Sequence, residues 1–85
     1  MISNIGFNHK ISRKLPSNTL VFCVWTSWSE SNRNQVIQQL ISNISFGCIV
    51  ITVTHPIDHS NFFQYKKMVL RFAWGNTSVY YYKYA

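Results

Sequence analysis

Apolar positions along the chain follow one period, then another, and the changes mark out its elements. From Thr19 to Thr26 (TLVFCVWT) the residues are β-branched and aromatic with no polar alternation, which predicts a strand covered on both faces. Ser27 to Asn32 is polar and rich in capping residues. Val36, Ile37, Leu40, Ile41 and Ile44 then recur at helical spacing and predict one amphipathic helix ending near Asn43. Ser31 stands where an N-cap is expected, and Glu30 suits the positive end of the helix dipole. Gly47 is expected to mark the helix exit, and Cys48 to Thr54 (CIVITVT) reads as a second buried strand. His55 to Gln64 reads as a loop opened by His55-Pro56. Lys67–Trp74 and Thr77–Tyr84 read as strands around Gly75-Asn76, a two-residue hairpin turn. Residues 1–18 form a polar, basic lead-in punctuated by Pro16-Ser17-Asn18, which leaves 19–85 as the domain. The fold class is therefore α/β: a β-α-β unit, with a right-handed crossover between parallel strands, followed by a β-hairpin.

One helix covers one face of such a sheet, and no predicted element covers the other. Tyr80, Tyr81, Tyr82 and Tyr84 are then expected at an open face, unless Met1–Lys14 wraps it. Contiguous apolar surface rich in Tyr and Trp marks an interaction site. Composition points the same way. The 85 residues are 47% hydrophobic but only 12% charged, against about 25% charged in a typical domain. That is too apolar for disorder, and a chain this short buries only about 60–65% of its unfolded surface. The domain is expected to live against something larger.

Eight Lys and Arg stand against only Glu30 and Asp58. The resulting charge of +6 favours RNA, anionic lipid or an acidic protein face, and it equally fits the basic bias of proteins imported into the mitochondrial matrix. The first fourteen residues lack acids and carry Lys10, Arg13 and Lys14, a faint import-type signal that is expected to be retained. No apolar stretch approaches the ~20 residues of a membrane span.

The sharpest chemical motif is the turn Ser29-Glu30-Ser31-Asn32, which follows Trp25-Thr26-Ser27-Trp28 at the helix entrance. A thioredoxin-like site has a strand leading into a Trp-flanked Cys-x-x-Cys there, with the helix dipole lowering the thiol pKa. Ser29 and Asn32 occupy the cysteine positions, and a serine hydroxyl cannot cycle through a disulfide. No nearby His or Lys stands out as its base, so no catalytic residue and no enzymatic activity are expected. Cys23 and Cys48 are too few for a disulfide scaffold and too far apart for a zinc motif; in apolar runs they read as buried, inert thiols. His55 and His59 flank Asp58 in a loop, short of the three or four ligands of a zinc site, so no metal and no cofactor are expected. Lys66, Lys67, Arg71 and Lys83 interleave with Tyr65, Phe72 and the tyrosine run. Such a pattern binds single-stranded RNA by stacking and phosphate contacts, or packs on a protein with its lysines at the rim. Arg33 opposes the dipole in the first helical turn, which points to a partner's carboxylate or phosphate or to a solvated surface position.

Three segments carry a family resemblance. They are Ile11-Ser12-Arg13-Lys14-Leu15 with Leu20-Val21-Phe22-Cys23; Ser29, Arg33 and Val36 at their spacing from Cys23; and Arg71-Phe72-Ala73-Trp74-Gly75. Together they resemble the redox-inactive thioredoxin-like family shared by two mitochondrial ribosomal proteins and a small accessory subunit of respiratory complex I. The chain departs from that family in a longer loop after the second strand, in a missing C-terminal helix, and in Cys48, which does not match the second cysteine of some complex I homologues. Trp25 two residues after Cys23, and Leu70-Arg71-Phe72, are similar to the ribosomal branches. The short chain and the lead-in favour the complex I branch. The resemblance then implies a non-catalytic accessory subunit on the matrix side of the mitochondrial inner membrane. Such a subunit docks on the peripheral arm near its large iron–sulfur subunit and supports assembly and stability. The alternative is a mitoribosomal protein contacting rRNA. Candidate docking residues are Ser29, Arg33, Arg71, Trp74, Tyr80 and Tyr82.

Overall fold

A computed structural model describes residues 2–4, as backbone alone, and residues 14–84. The elements in chain order are β1 (Ile2–Asn4), β2 (Leu20–Val24), α1 (Glu30–Asn43), β3 (Ile49–Val53), β4 (Phe62–Phe72) and β5 (Gly75–Tyr84). They build a small mixed α/β domain. One sheet runs in the order β1-β2-β3-β5-β4, with β1, β2 and β3 parallel and the β4–β5 hairpin joined antiparallel to β3 through β5. The expected β-α-β unit and hairpin are present. The short strand β1 was not foreseen: three residues of the lead-in pair with Leu20–Phe22 as an added edge. Residues 5–13, and with them the proposed wrapping of the open face and the Ile11–Arg13 match, lie outside the described residues.

Register decides which side chains share a face. Leu20, Phe22 and Val24 lie level with Ile49, Ile51 and Val53, and these with Lys83, Tyr81 and Val79 of β5. The intervening residues Val21, Cys23, Val50, Tyr82 and Tyr84 point the other way and pack with Val36, Leu40 and Ile44 beneath α1. Trp25, Cys48, Ile57 and Phe62 complete that core. The opposite face has a smaller cluster of Ile51, Val53 and Val79, bordered by half-buried Leu20, Phe22, Ile49, Phe72 and Tyr81. This two-sided apolar sheet is why β2 and β3 read as unbroken hydrophobic runs.

Four boundaries differ from the sequence reading, each for a physical reason. α1 is capped by Ser29 rather than Ser31, because Ser29 holds the extended backbone (φ −68°, ψ 158°) that a cap requires. The helix closes at Ile44, whose amide donates to Leu40 O at 2.7 Å, so Gly47 is not its exit. Gly47 instead takes a positive φ of 92° in the turn into β3, and its amide donates to Tyr84 O. The hairpin turns on Ala73-Trp74, two residues before Gly75-Asn76. Phe72 pairs with Gly75 across it, and Gly75 at φ 121° supplies the left-handed conformation just after the turn. Finally, β4 begins at Phe62, inside the predicted His55–Gln64 loop. A bulge between Gln64 and Lys66 leaves Tyr65 without a cross-strand partner and breaks the period-two pattern that would have revealed the strand.

Leu40 is fully buried at the centre of the helix–sheet contact, whereas Val69 on the edge strand is 64% exposed. Leu40→Ala is expected to lower unfolding free energy by about 2–5 kcal/mol, and Val69→Ala by less than about 0.5 kcal/mol, in urea titrations followed by tryptophan fluorescence.

Candidate functional site

The carboxyl ends of the parallel strands β2 and β3 meet the start of α1, which is where α/β sheets commonly hold their ligands. Trp25 leaves β2 pointing into the core and donates from its indole Nε1 to His55 O at 2.8 Å. The chain turns as Trp28 N donates to Trp25 O, setting the two indoles edge to face at 6.0 Å. Ser29 then caps the helix: its Oγ accepts from Asn32 N at 3.2 Å, and its carbonyl from Arg33 N at 3.0 Å. Glu30, the first helical residue, sets its charge at the positive end of the dipole.

Arg33 is engaged within the chain. Its guanidinium Nη1 donates to Trp28 O at 2.7 Å, tying the first helical turn back to the tryptophan-flanked bend. This bond gives the cation a reason to stand against the helix dipole without a partner. Glu30, Arg33, His55 and Asp58, with Ile37, border a cleft of about 240 Å³ at this end of the helix. His55 Nε2 lies 3.3 Å from Thr26 O. His59 points elsewhere: its Nδ1 accepts from Asn61 N and its ring meets the Phe62 ring. Among the described residues no three His, Cys, Asp or Glu side chains gather as a metal site would need.

A threonine relay at the same end was not visible in the sequence. Thr54 Oγ1 shares hydrogen bonds with Thr26 Oγ1 at 2.7 Å and Thr77 Oγ1 at 2.9 Å, joining the ends of β2 and β3 to the hairpin. Thr54 has a φ of 78°, a strained conformation for a β-branched residue. Its amide donates to Ser78 O and the two side-chain bonds hold it there. Three threonines spread over fifty residues of sequence offer no pattern that announces such a contact.

Both cysteines are free and buried. Burial pushes the Cys23 thiol up to about 12, so neutral pH leaves it protonated and a poor nucleophile. The Cys48 thiol donates to Pro16 O at 3.0 Å.

The remaining candidates lie on the hairpin, and the structure separates them. The tyrosine run alternates between faces. Tyr82 and Tyr84 are core residues, and only Tyr81 of the run lies on the helix-free face. Tyr82 accepts from Ile57 N at 2.8 Å, and burial pushes its phenol up against the opposing effect of that bond. It is not available to a partner. Tyr80 is half-buried on the helix side, with Lys67 Nζ 5.5 Å from its ring centroid. Arg71 is exposed near the hairpin tip opposite Asn76. Trp74, in the turn, stacks on Phe72 at 4.8 Å and closes a cleft of about 350 Å³ with Val24, Thr26 and Ser27. Ser29 and Arg33 build the helix entrance, Arg71 and Trp74 stand at the hairpin tip, and Trp74 meets the Thr26-Ser27 segment that leads into the helix.

The cap has a measurable consequence. Ser29→Ala is expected to cost about 1 kcal/mol of stability, by loss of the Asn32 bond, and Ser29→Asp to retain most of it. Cys23 supplies a second test. Its folded pKa lies above its unfolded value, so its stabilising contribution is complete below about pH 9 and is lost as pH rises towards about 12. Wild type should lose stability steadily through that window relative to Cys23→Ala, measured by denaturant titration at each pH.

Compared with protein-family models, with curated proteins and with solved structures, the chain matches none, so the site is defined by its own residues and geometry.

Proposed function

We propose that this chain is a non-catalytic component of a larger assembly, docked through the sheet face opposite α1. The observation that carries the reading is that face itself. Leu20, Phe22 and Phe72 border the Ile51–Val53–Val79 cluster on it, and among the described residues no helix packs there. Surface of this kind on a chain with 12% charged residues favours burial against a partner. The helix entrance supports the same conclusion, because Ser29 and Arg33 are both used to hold backbone.

The assembly proposed is mitochondrial respiratory complex I, with the chain as an accessory subunit on the matrix side of the peripheral arm. Support comes from the resemblance at Leu20–Cys23, at Ser29, Arg33 and Val36, and at Arg71–Gly75. The thioredoxin-like part of this reading rests on the tryptophan-flanked helix entrance and not on strand order, since the hairpin joins β3, the strand that follows the helix. A mitoribosomal component is the second reading, favoured by the lysines that border the aromatic residues of the hairpin. No helix among the described residues is long and apolar enough to cross a membrane.

Tagged full-length chain, returned to its native host, is expected to comigrate with NADH dehydrogenase activity on native gels and to fractionate with mitochondrial inner membranes. Sedimentation with ribosomal particles alone would replace the first reading by the second. Recovery as a free monomer outside mitochondria would remove both.

A further inference from the structure

Beyond the assembly reading, and independent of which assembly is involved, we propose that the β4–β5 side of the helix-free face binds single-stranded nucleic acid. The strip is built in two adjacent rungs. In the first, Phe63 pairs with Lys83, and Lys83 with Ile49. In the second, the bulged Tyr65 ring lies 6.2 Å from the Tyr81 ring, and Lys66 Nζ stands 5.5 Å from the centroid of Tyr81. Phe63 is 65% and Tyr65 49% exposed, so both rings have free surface on which a base could stack. Ile49, Phe63, Tyr65 and Lys83 line a cleft of about 390 Å³ that combines two aromatic rings, an aliphatic side chain and a cationic residue.

Charge selects the occupant. Glu30 and Asp58 are the only acids in the sequence, and both border the cleft at the helix entrance. On the strip's own face the hairpin therefore carries Lys66 and Lys83, with no side-chain carboxylate between Phe62 and Tyr84 to neutralise them, while Lys67 and Arg71 lie on the opposite face. An acidic protein surface would satisfy those cations but would have no general use for two exposed rings beside them. A single strand satisfies both features, since every nucleotide brings a phosphate and a flat base. The bulge contributes directly: with Tyr65 out of the ladder, its ring joins Lys66 over Tyr81 on the same side. Lys66 and Lys83 would meet phosphates while Phe63 and Tyr65 take bases.

The test is fluorescence anisotropy of full-length chain with labelled oligouridylate and oligothymidylate of about ten nucleotides. Phe63→Ala and Tyr65→Ala should each weaken binding by about tenfold. Lys83→Gln should weaken it and lower the salt slope by about one. Phe46→Ala, at an exposed ring outside the strip, should leave affinity unchanged, and thermal melts would confirm that each variant is folded. Preference for the uridylate would assign the strip to RNA, and equal affinity to single strands in general. Loss of affinity with Lys83→Gln but not with the aromatic variants would overturn the proposal. So would equal competition by polyglutamate or by phosphatidylserine vesicles, which would reduce the strip to a general anion-binding surface. Binding in isolation without ribosomal co-sedimentation would keep this inference and remove the ribosomal reading; complex I comigration without binding would do the reverse for the inference.

Discussion

α1 lies on the sheet through Val36, Leu40 and Ile44, and this contact organises nearly everything else in the domain. It draws Val21 and Cys23 from β2 with Trp25 just beyond it, Cys48 and Val50 around β3, and Tyr82 and Tyr84 from β5 into one core. With a single helix available, the sheet's second face has no equivalent cover among the described residues. The chain keeps that face apolar in its middle and graded towards aromatic and basic at the β4 edge. Packing of one layer thus creates both the stability of the domain and the surface on which its function is proposed.

The hairpin is where the two demands meet. β4 is an eleven-residue edge strand, long enough to invite pairing with another chain. Lys66 and Lys67 project to opposite faces of it, each within cation–π distance of a tyrosine, and a bulge at Tyr65 interrupts the ladder. Charge and bulge are the devices by which edge strands resist unwanted strand addition. In this protein the same two devices also assemble the Tyr65–Tyr81–Lys66 cluster.

At the helix entrance the arrangement is a structural knot. Ser29 caps, Arg33 clamps the Trp28 carbonyl, Trp25 anchors His55, and Thr54 links β2 to the hairpin through two hydroxyls. A turn with the outline of a redox motif is occupied by side chains that hold backbone in place, and the nearby Cys23 thiol is sealed in the core. The strain at Thr54 is the local consequence of joining three strand ends in one place.

Much of the architecture was legible along the chain. The helical period from Val36 to Ile44, the unbroken runs at Thr19–Thr26 and Cys48–Thr54, and the burial of both cysteines all follow from local composition, because burial on both faces and helical amphipathicity leave their marks in consecutive residues. What the sequence did not contain was everything that depends on register. The bulge hid the start of β4, and Gly75 read as a turn residue when it follows the turn. Four tyrosines read as one exposed group divide between faces, so Tyr82 belongs to the core and Tyr81 to the open side. Arg33 read as a partner-contacting or solvated cation, and only the fold revealed its hydrogen bond to the Trp28 carbonyl. Sequence by itself determined the helix and the runs that become β2, β3 and the hairpin, and how much apolar surface they carry, but neither β1 nor the start of β4. Tertiary structure alone decided which side of the sheet each ring and cation occupies, since a shift of one residue in pairing exchanges the faces.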